Sequence, residues 1–244
     1  SQTGLDASSA SKYTRGVSLG DLDGDGDLDV FAANYNTNNH VWINTGGVFS
    51  LGQQLPKINS SKHIGVSLGD FDGDGDLDAF VLNYTKDNVV WLNDGTGNFV
   101  QGVSLRNPQG NQTQSTHYSR AAAVGDLNGD GILDVFETVT NDKADIVWFG
   151  DGSGGFTTTE ASLASLEDIG DAFEITNTNG YGLDVALGDL DGDGTLDALV
   201  ANSGATNAGG YNWVLLNEAG TGVFTKHQLL EPDAFADSGD RHKD

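Results

Sequence analysis

The stretch Asp21-Leu-Asp-Gly-Asp-Gly-Asp-Leu-Asp29 is the key to this chain, because the same nine-residue string occurs four times. The other copies are Asp70-Phe-Asp-Gly-Asp-Gly-Asp-Leu-Asp78, Asp126-Leu-Asn-Gly-Asp-Gly-Ile-Leu-Asp134 and Asp189-Leu-Asp-Gly-Asp-Gly-Thr-Leu-Asp197. Successive copies begin 49, 56 and 63 residues apart. A period of this length indicates a chain built from repeated structural units rather than from short solenoid turns.

The segments around each string repeat as well. A short apolar alternation precedes the string, as in Val17-Ser-Leu-Gly20, and a β-rich run follows it, as in Val30-Phe-Ala-Ala33. A third run carries one tryptophan in every copy, namely Trp42, Trp91, Trp148 and Trp213. Glycine-rich turns then lead to a fourth run, which opens with Phe49, Phe99, Phe156 or Phe224. Each unit is therefore predicted to be strand, acidic loop, strand, turn, strand, turn, strand.

Four-stranded antiparallel sheets repeated around an axis form a β-propeller. The predicted fold class is therefore all-β, a β-propeller of four repeated four-stranded antiparallel blades. Residues 1–244 are predicted to form one domain, with repeat units at about 14–55, 62–106, 117–163 and 181–230 and a tail at 231–244.

The number of residues leaves two arrangements open. After Asp197 the chain has 47 more residues, enough to complete the fourth unit and reach the point where a fifth first strand would begin. We therefore favour a closed four-bladed ring, with homo-oligomer assembly expected on top of it. The alternative is an open arc that completes a larger propeller with another protomer, since an open propeller exposes apolar sheet faces.

The composition argues against several classes of function. The 244 residues contain 36 Asp and Glu but only 11 Lys and Arg, which gives a formal net charge of −25. Such a charge disfavours binding to nucleic acid or to an anionic membrane surface. The absence of cysteine excludes disulfide scaffolds and zinc–thiolate sites. No apolar run approaches the ~18 residues of a transmembrane helix, so membrane insertion is not expected.

The acidic strings place oxygen ligands at regular positions. Carboxylates occur at positions 1, 3, 5 and 9, and glycines at positions 4 and 6 permit the positive φ angles that wrap backbone around an ion. Position 7 varies among Asp, Ile and Thr, as expected where only the backbone carbonyl contributes. The predicted cofactor is calcium, about four ions with one per loop, because magnesium demands stricter octahedral geometry.

The candidate metal ligands follow from these positions. They are Asp21, Asp23, Asp25, Asp27 and Asp29; Asp70, Asp72, Asp74, Asp76 and Asp78; Asp126, Asn128, Asp130, Ile132 and Asp134; and Asp189, Asp191, Asp193, Thr195 and Asp197. Residues 126–137 also match the twelve-residue EF-hand pattern. The run after Asp134 is β-branched and aromatic rather than helical, so we interpret that match as coincidental and exclude Glu137 from the ligands.

The loops, placed between the first two strands of each unit, resemble the FG-GAP/VCBS-type repeats of integrin α-subunit propellers and of many secreted bacterial proteins. The similarity covers about residues 14 to 230. It implies a calcium-braced extracellular propeller used for adhesion, recognition or assembly. It also implies metal binding by Asp21, Asp23, Asp25 and Asp29, by the Asp27 carbonyl, and by the same places in later copies. Integrin-like propellers have seven blades, whereas only four units are legible here.

The expected function is a non-enzymatic, secreted, calcium-stabilised propeller that acts outside the cell or at its surface as a structural, adhesion or self-assembly module. An extracellular glycan or protein is a possible ligand, and a lectin-like module is the alternative, with Tyr35 and Tyr84 as candidate contacts. A polysaccharide-active enzyme is the weaker reading. The histidines show no nucleophile or metal-ligand spacing, and there is no Gly-x-Ser-x-Gly elbow. No catalytic or organic-cofactor residue is therefore predicted.

Overall fold

The structure is a computed structural model that describes residues 13–58, 62–106, 118–140, 145–158, 180–204 and 212–230. Within those ranges the chain forms sixteen β-strands and one short 3-10 turn at Glu218–Gly220, and no α-helix. The strands form four antiparallel sheets of four strands each, which confirms the predicted all-β, propeller-like fold. The predicted tail at 231–244 lies outside the described residues, as do parts of the third unit, among them 159–163.

The strands of each blade follow one another in chain order. Blade 1 contains β1 (Thr14–Gly20), β2 (Asp29–Asn34), β3 (Asn39–Thr45) and β4 (Val48–Leu55). Blade 2 contains β5 (His63–Gly69), β6 (Asp78–Asn83), β7 (Asn88–Asn93) and β8 (Phe99–Leu105). Blade 3 contains β9 (Ser119–Gly125), β10 (Asp134–Val139), β11 (Ile146–Gly150) and β12 (Phe156–Thr157). Blade 4 contains β13 (Gly180–Gly188), β14 (Asp197–Gly204), β15 (Asn212–Asn217) and β16 (Phe224–Leu230).

The acidic loop closes the hairpin between the first two strands of every blade. The last glycine of the first strand pairs with the last aspartate of the loop, as Gly20 does with Asp29 and Gly188 with Asp197. Because this register is the same in all four blades, the four loops occupy equivalent places at one end of the first strands.

The hydrophobic core lies between neighbouring blades. Between blades 1 and 2, Phe31 and Val41 pack with Trp91 and Phe99, and equivalent clusters fill the next two interfaces. The second strands of blades 1 to 3 are buried on both faces, as the sequence predicts for sheets stacked between two neighbours, whereas Leu199 on β14 is only half-buried. These layers fix each acidic loop relative to the following blade.

The inner strands pack side by side in the order β1, β5, β9, β13, and the described strands show no comparable packing of β13 against β1. Val17 and Leu19 on β1 are exposed, whereas their counterparts Val66 and Leu68 pack between blades. The described residues therefore form an open arc, the alternative arrangement, and not the closed ring favoured from chain length. Residue counting shows only that the chain is long enough, while the angle between neighbouring blades decides whether its ends meet.

Candidate metal centres

All four acidic loops share one set of hydrogen bonds. In the first loop, the two carboxylate oxygens of Asp21 accept the N–H groups of Gly24 (2.8 Å) and Gly26 (3.0 Å). Oδ1 of Asp23 accepts the N–H of Asp25, and Oδ1 of Asp25 accepts the N–H of Asp27. The same bonds occur in the other three loops. The loop is therefore folded around its first aspartate.

The glycines at positions 4 and 6 take the positive φ angles that the sequence predicts. In the first loop φ is 77° at Gly24 and 92° at Gly26, and the six equivalent glycines lie between 76° and 96°. Side chains with a Cβ rarely adopt this conformation, so glycine is what allows the loop to turn back on itself.

The last aspartate of each loop is fully buried and ties the loop to the third strand. Oδ2 of Asp29 accepts the N–H of Leu22 (2.8 Å), and its Oδ1 accepts the N–H of Asn44 (2.7 Å). Asp78, Asp134 and Asp197 make the equivalent pair of bonds. Burial raises the pKa of Asp78 and Asp134 to about 6, against the lowering effect of these hydrogen bonds. A nearby cation would favour the ionised form of such carboxylates.

Three of the loops bring carboxylates from positions 1, 3 and 9 together. Oxygens of Asp21, Asp23 and Asp29 lie within 4.8 Å of one another. Two equivalent groups occur, formed by Asp70, Asp72 and Asp78 and by Asp189, Asp191 and Asp197. The aspartates at position 5 lie outside these groups, so their role as ligands stays a prediction, as does the role of the position 7 carbonyls.

The third loop differs because Asn128 replaces an aspartate at position 3. The Asn128 amide keeps the loop bond by accepting the N–H of Asp130, and it also donates from Nδ2 to Oδ2 of Asp130 (3.0 Å). Asp126 and Asp134 keep their loop bonds. This loop has an oxygen donor at every predicted position but one negative charge fewer at its centre, so we expect it to bind a divalent cation most weakly.

Carboxylate crowding is visible in the pKa values at position 3. Desolvation raises the pKa of Asp23 and Asp72, and the neighbouring loop aspartates raise it further. In the fourth loop, by contrast, hydrogen bonds from Thr195 lower the pKa of Asp193. All donors are oxygens, and hard carboxylate clusters of this kind suit calcium. When bound, the ion would supply positive charge between carboxylates that otherwise repel one another.

Sequence reasoning missed the role of the position 7 side chain. A Cβ on Gly95 would lie only 2.4 Å from Oδ2 of Asp76, and a Cβ on Gly220 would lie 2.9 Å from Cγ2 of Thr195. The position 7 side chain therefore covers the turn between the third and fourth strands of its own blade. The glycine-rich turns were visible in the sequence, but their packing against the loop was not.

Each of the first three loops is also held by the following blade. Asn93 of blade 2 donates from Nδ2 to the carbonyl oxygen of Leu22 (2.8 Å). Asn217 of blade 4 makes the same bond to Leu127 (2.8 Å), and in blade 3 the N–H of Gly154 binds the carbonyl oxygen of Phe71 (2.9 Å). The loops therefore lie at blade interfaces, where a bound ion would stabilise two blades at once.

Other residues singled out in the sequence have structural surroundings. Trp91 and Trp148 are buried between blades, as core residues are. The Tyr35 ring is approached by the Arg15 guanidinium at 5.3 Å and by the Lys62 ammonium at 5.8 Å, so its contacts are already partly occupied.

Glu137 lies in the middle of strand β10 and is fully buried. It accepts hydrogen bonds from Ser119, Trp148 and Asn88. The segments that flank the third loop are strands, so the match to the EF-hand pattern is coincidental and Glu137 is a core residue.

The FG-GAP-like repeat profile matches residues 21–81, 70–137 and 126–200. No curated protein matches the sequence. Among solved structures, the chain is similar to BBS1N in its complex with ARL6DN, soaked with lead, at 12% identity and a TM-score of 0.54. This similarity covers 91% of this chain and 57% of BBS1N. In the mercury-soaked crystal the values are 12% identity, a TM-score of 0.51, and coverage of 90% and 57%.

A third structure is the V. cholerae biofilm matrix protein Bap1, at 17% identity and a TM-score of 0.48, covering 83% of this chain and 27% of Bap1. The chain thus spans just over half the length of BBS1N. In the described segments, no helix has the length and apolar character needed to cross a lipid bilayer. With its repeated acidic loops and three consecutive profile matches over residues 21–200, this chain belongs to the FG-GAP-like repeat family.

Proposed function

We propose that this protein is a non-enzymatic, secreted, calcium-stabilised β-propeller that serves outside the cell as a structural, adhesion or assembly module. FG-GAP-like repeats form β-propeller modules that often have adhesion or structural roles. The observation that carries the proposal is the convergence of carboxylates from positions 1, 3 and 9 in three loops, within 4.8 Å. The clusters of the first two loops lie where one blade meets the next, so ion binding there is coupled to the contacts between blades.

The electrostatic balance supports calcium as part of the folded protein. The net charge of −25 destabilises a compact chain by self-repulsion, and 17 of the 36 acidic residues lie in the four loops. The unfolded chain has no assembled site, so calcium binding adds free energy to folding. Extracellular calcium sites can be weak, with Kd on the order of 10⁻⁴–10⁻³ M, and such sites fill outside cells and empty in the cytosol.

Thermal unfolding with and without calcium tests the metal part of the proposal. We expect millimolar calcium to raise the melting temperature by about 10 °C or more over a chelated sample, because several sites bind only the folded state. Magnesium at the same concentration should raise it far less. Superimposable melting curves with calcium and with chelator would refute calcium stabilisation.

A matched pair of variants assigns the effect to the loops. Asp23→Ala removes a clustered carboxylate, and Asp184→Ala removes an exposed carboxylate on β13 outside the four loops. We expect Asp23→Ala to cost about 1–3 kcal/mol of unfolding free energy in calcium and much less in chelator. Asp184→Ala should change the free energy by less than about 0.5 kcal/mol in both conditions. Equal effects of the two variants would show that Asp23 has no special role.

The non-enzymatic and extracellular parts of the proposal need their own tests. Fractionation of the native host should place the protein outside the cell or at its surface, and a cytosolic location would contradict the proposal. A screen of acidic polysaccharides should show no calcium-dependent cleavage. Binding to a glycan array that is lost in Tyr35→Ala or Tyr84→Ala would instead favour the lectin-like alternative.

A further inference from the structure

A leucine-on-glycine contact is repeated at all three blade interfaces. The leucine at loop position 8 of one blade lies against the glycine that ends the first strand of the preceding blade. A Cβ placed on Gly20 would be 2.6 Å from Cδ1 of Leu77, and one on Gly125 would be 2.5 Å from Cδ1 of Leu196. At the middle interface a Cβ placed on Gly69 would be 3.0 Å from Cδ1 of Leu133. The leucine side chain occupies the space that a Cβ on the glycine would take, so the glycine forms a recess that the leucine fills.

Each end of the arc has one partner of this contact, a glycine or a leucine, without its counterpart in the described chain. Gly188 ends the first strand of blade 4, and no heavy atom of the described chain lies within 4 Å of a Cβ placed on it. Leu28 occupies loop position 8 of blade 1 and is 56% exposed. Among the described residues, the arc therefore has an unfilled recess at Gly188 at one end and an exposed leucine, Leu28, at the other.

Two more interface contacts have one partner at each end of the arc. They are the burial of the leucine at loop position 2 and the hydrogen bond from an asparagine to its carbonyl oxygen. Leu22 and Leu127 are buried under the following blade, but their counterpart Leu190 is 50% exposed. Asn93 and Asn217 bind the carbonyl oxygens of Leu22 and Leu127 in the preceding blade.

The corresponding donor in blade 1 is Asn44. Its Nδ2 donates to the carbonyl oxygen of Leu28 within its own blade (3.1 Å), as Asn93 also does to Leu77. The partner that Asn44 would bind in a preceding blade is the equivalent of Leu190. The donor and acceptor of this bond are thus found at opposite ends of one chain.

Apolar side chains complete the free face of blade 1. Val17, Leu19 and Phe49 are exposed there, and they correspond to Val66, Leu68 and Phe99, which pack against blade 1 from blade 2. Exposed apolar faces of this kind mark interaction sites. Since the internal interfaces use these positions for contact with another blade, the occupant that fits blade 1 is a face built like that of blade 4.

We propose that blade 4 of one molecule binds blade 1 of a second copy of this chain, with Leu28 seated over Gly188. This inference deepens the assembly role proposed above, on which it rests, and it names the interface. The contact joins two different surfaces, so it is repeated from copy to copy until a ring closes or a filament forms.

Cysteine cross-linking tests the contact directly, since the chain has no native cysteine. Leu28→Cys and Gly188→Cys are made in separate chains, mixed in saturating calcium and oxidised. We expect disulfide-linked heterodimers of the two chains, because at the internal copies of this contact a Cβ on the glycine would lie 2.5–3.0 Å from the leucine Cδ1, and a disulfide needs two side chains that approach closely. Val100→Cys, at an exposed position on β8, replaces Leu28→Cys in the control mixture and should give no heterodimer. Homodimers alone, or equal yields in both mixtures, would overturn the proposal.

Sedimentation of uncrosslinked protein provides the second measurement. Gly188→Leu fills the recess at a position where an added Cβ has no heavy atom of the described chain within 4 Å, and we expect it to weaken self-association by about tenfold or more, as the loss of ~1.4 kcal/mol would. Its melting temperature should stay close to that of the wild type, which shows that it folds. Because both copies are acidic, self-association should strengthen as salt screens their repulsion. A monomer at every concentration and salt level would overturn the proposal.

The same samples separate this proposal from the proposed function. A monomer whose melting temperature still rises with calcium would refute the interface and leave the calcium-stabilised module intact. Assembly with superimposable melting curves in calcium and chelator would support the interface and refute calcium stabilisation.

Discussion

The interface between blades 1 and 2 and the interface between blades 2 and 3 share a backbone arrangement but differ at their polar centres. Between blades 2 and 3, the Glu137 carboxylate accepts hydrogen bonds from Asn88 of the preceding blade (2.8 Å), from Trp148 (2.6 Å) and from Ser119. Between blades 1 and 2, the residue at the place of Glu137 is Val81, as the strand register shows. The two sites therefore differ in their acceptor, and also at the place of Ser119, where the first interface has His63.

The first interface has two buried donors, on Asn39 and Trp91, without the carboxylate acceptor found in the second. His63, whose Nδ1 donates to Asn39 Oδ1 (2.8 Å), has an Nε2 without a donor in the described chain. Asn39, Trp91 and His63 correspond to Asn88, Trp148 and Ser119, and all three are buried. Within the described residues, Asn39 Nδ2, Trp91 Nε1 and His63 Nε2 have no hydrogen-bond partner. The repeat thus places polar side chains at equivalent positions in both interfaces. Of these two described interfaces, only the second has a carboxylate, that of Glu137, to accept their hydrogen bonds.

The largest expected difference comes from removing the acceptor. Glu137→Leu removes the acceptor of Asn88 Nδ2 and Trp148 Nε1 and leaves the Ser119 hydroxyl with only its bond to Asn88 Oδ1 (3.1 Å), which should cost about 3–5 kcal/mol of unfolding free energy. Glu137→Gln keeps the shape and one carbonyl oxygen, so its cost should be less than half as large. Chemical denaturation in saturating calcium measures both. A Glu137→Leu protein as stable as the wild type would show that the polar centre contributes nothing.

Acid should weaken the first interface through His63. Burial, with a smaller effect of Lys57, lowers the pKa of His63 to about 4. The unfolded chain takes up the proton near pH 6.5, so the folded state is fully favoured above that pH and loses stability as pH falls from about 6.5 to 4. The loss reaches roughly 3 kcal/mol.

Glu137 makes stability depend on pH in the opposite direction. Its pKa is raised by burial, so protonation at low pH favours the folded state and the second interface gains stability as pH falls. Comparing wild type with His63→Gln isolates the first effect, since all other groups titrate in both proteins. Parallel stability curves between pH 7 and 4.5 would contradict the assignment to His63.

Substitution of the two equivalent tryptophans should give a smaller difference in stability, and each variant serves as the control for the other. Trp148→Phe and Trp91→Phe delete the same atoms at equivalent places, but only Trp148 Nε1 donates to a carboxylate. We expect Trp148→Phe to be more destabilising by about 1.5–3 kcal/mol, the value of a hydrogen bond to a charged group. Equal losses in the two variants, measured by denaturant unfolding, would remove the distinction between the interfaces.

The smallest expected effect is the coupling between Val81 and His63. Val81→Glu alone should destabilise the first interface, because a longer, ionisable side chain enters a filled core at a fully buried position. Adding His63→Ser recreates the residues of the second interface and should recover about 1 kcal/mol beyond additivity. A double-mutant cycle measures this coupling, and strictly additive free energies would show that the two positions act independently.

The acidic loops were predictable because the backbone conformations and hydrogen bonds that form the turn lie within a few residues of one another. Gly24 and Gly26 take positive φ, and Asp21 bonds to both within five residues of itself, so a nine-residue pattern contains the whole structure. The same holds for the strand order, since each strand pairs with the next one in the chain. The ligand roles of position 5 and of the position 7 carbonyls remain predictions.

Features that depend on packing between blades were not predictable. Glu137 stood out in the sequence as a departure from the other repeats, but its partner Asn88 is 49 residues away and reaches it only because two blades pack. The open arc is of the same kind, because the angle between blades depends on close approaches such as that of Gly16 to Gly65, where an added Cβ on Gly16 would lie 2.6 Å from Cα of Gly65. No count of residues contains that angle.

The leucine-on-glycine contact has a consequence for how such chains change over generations. Every unit brings its own leucine for the unit before it and its own glycine for the unit after it. Tandem duplication or deletion of one whole unit, 49 to 63 residues long, therefore leaves every remaining junction intact. Chain length in this architecture can drift by entire units without any compensating substitution, so the size of the assembled object is free to evolve faster than the fold.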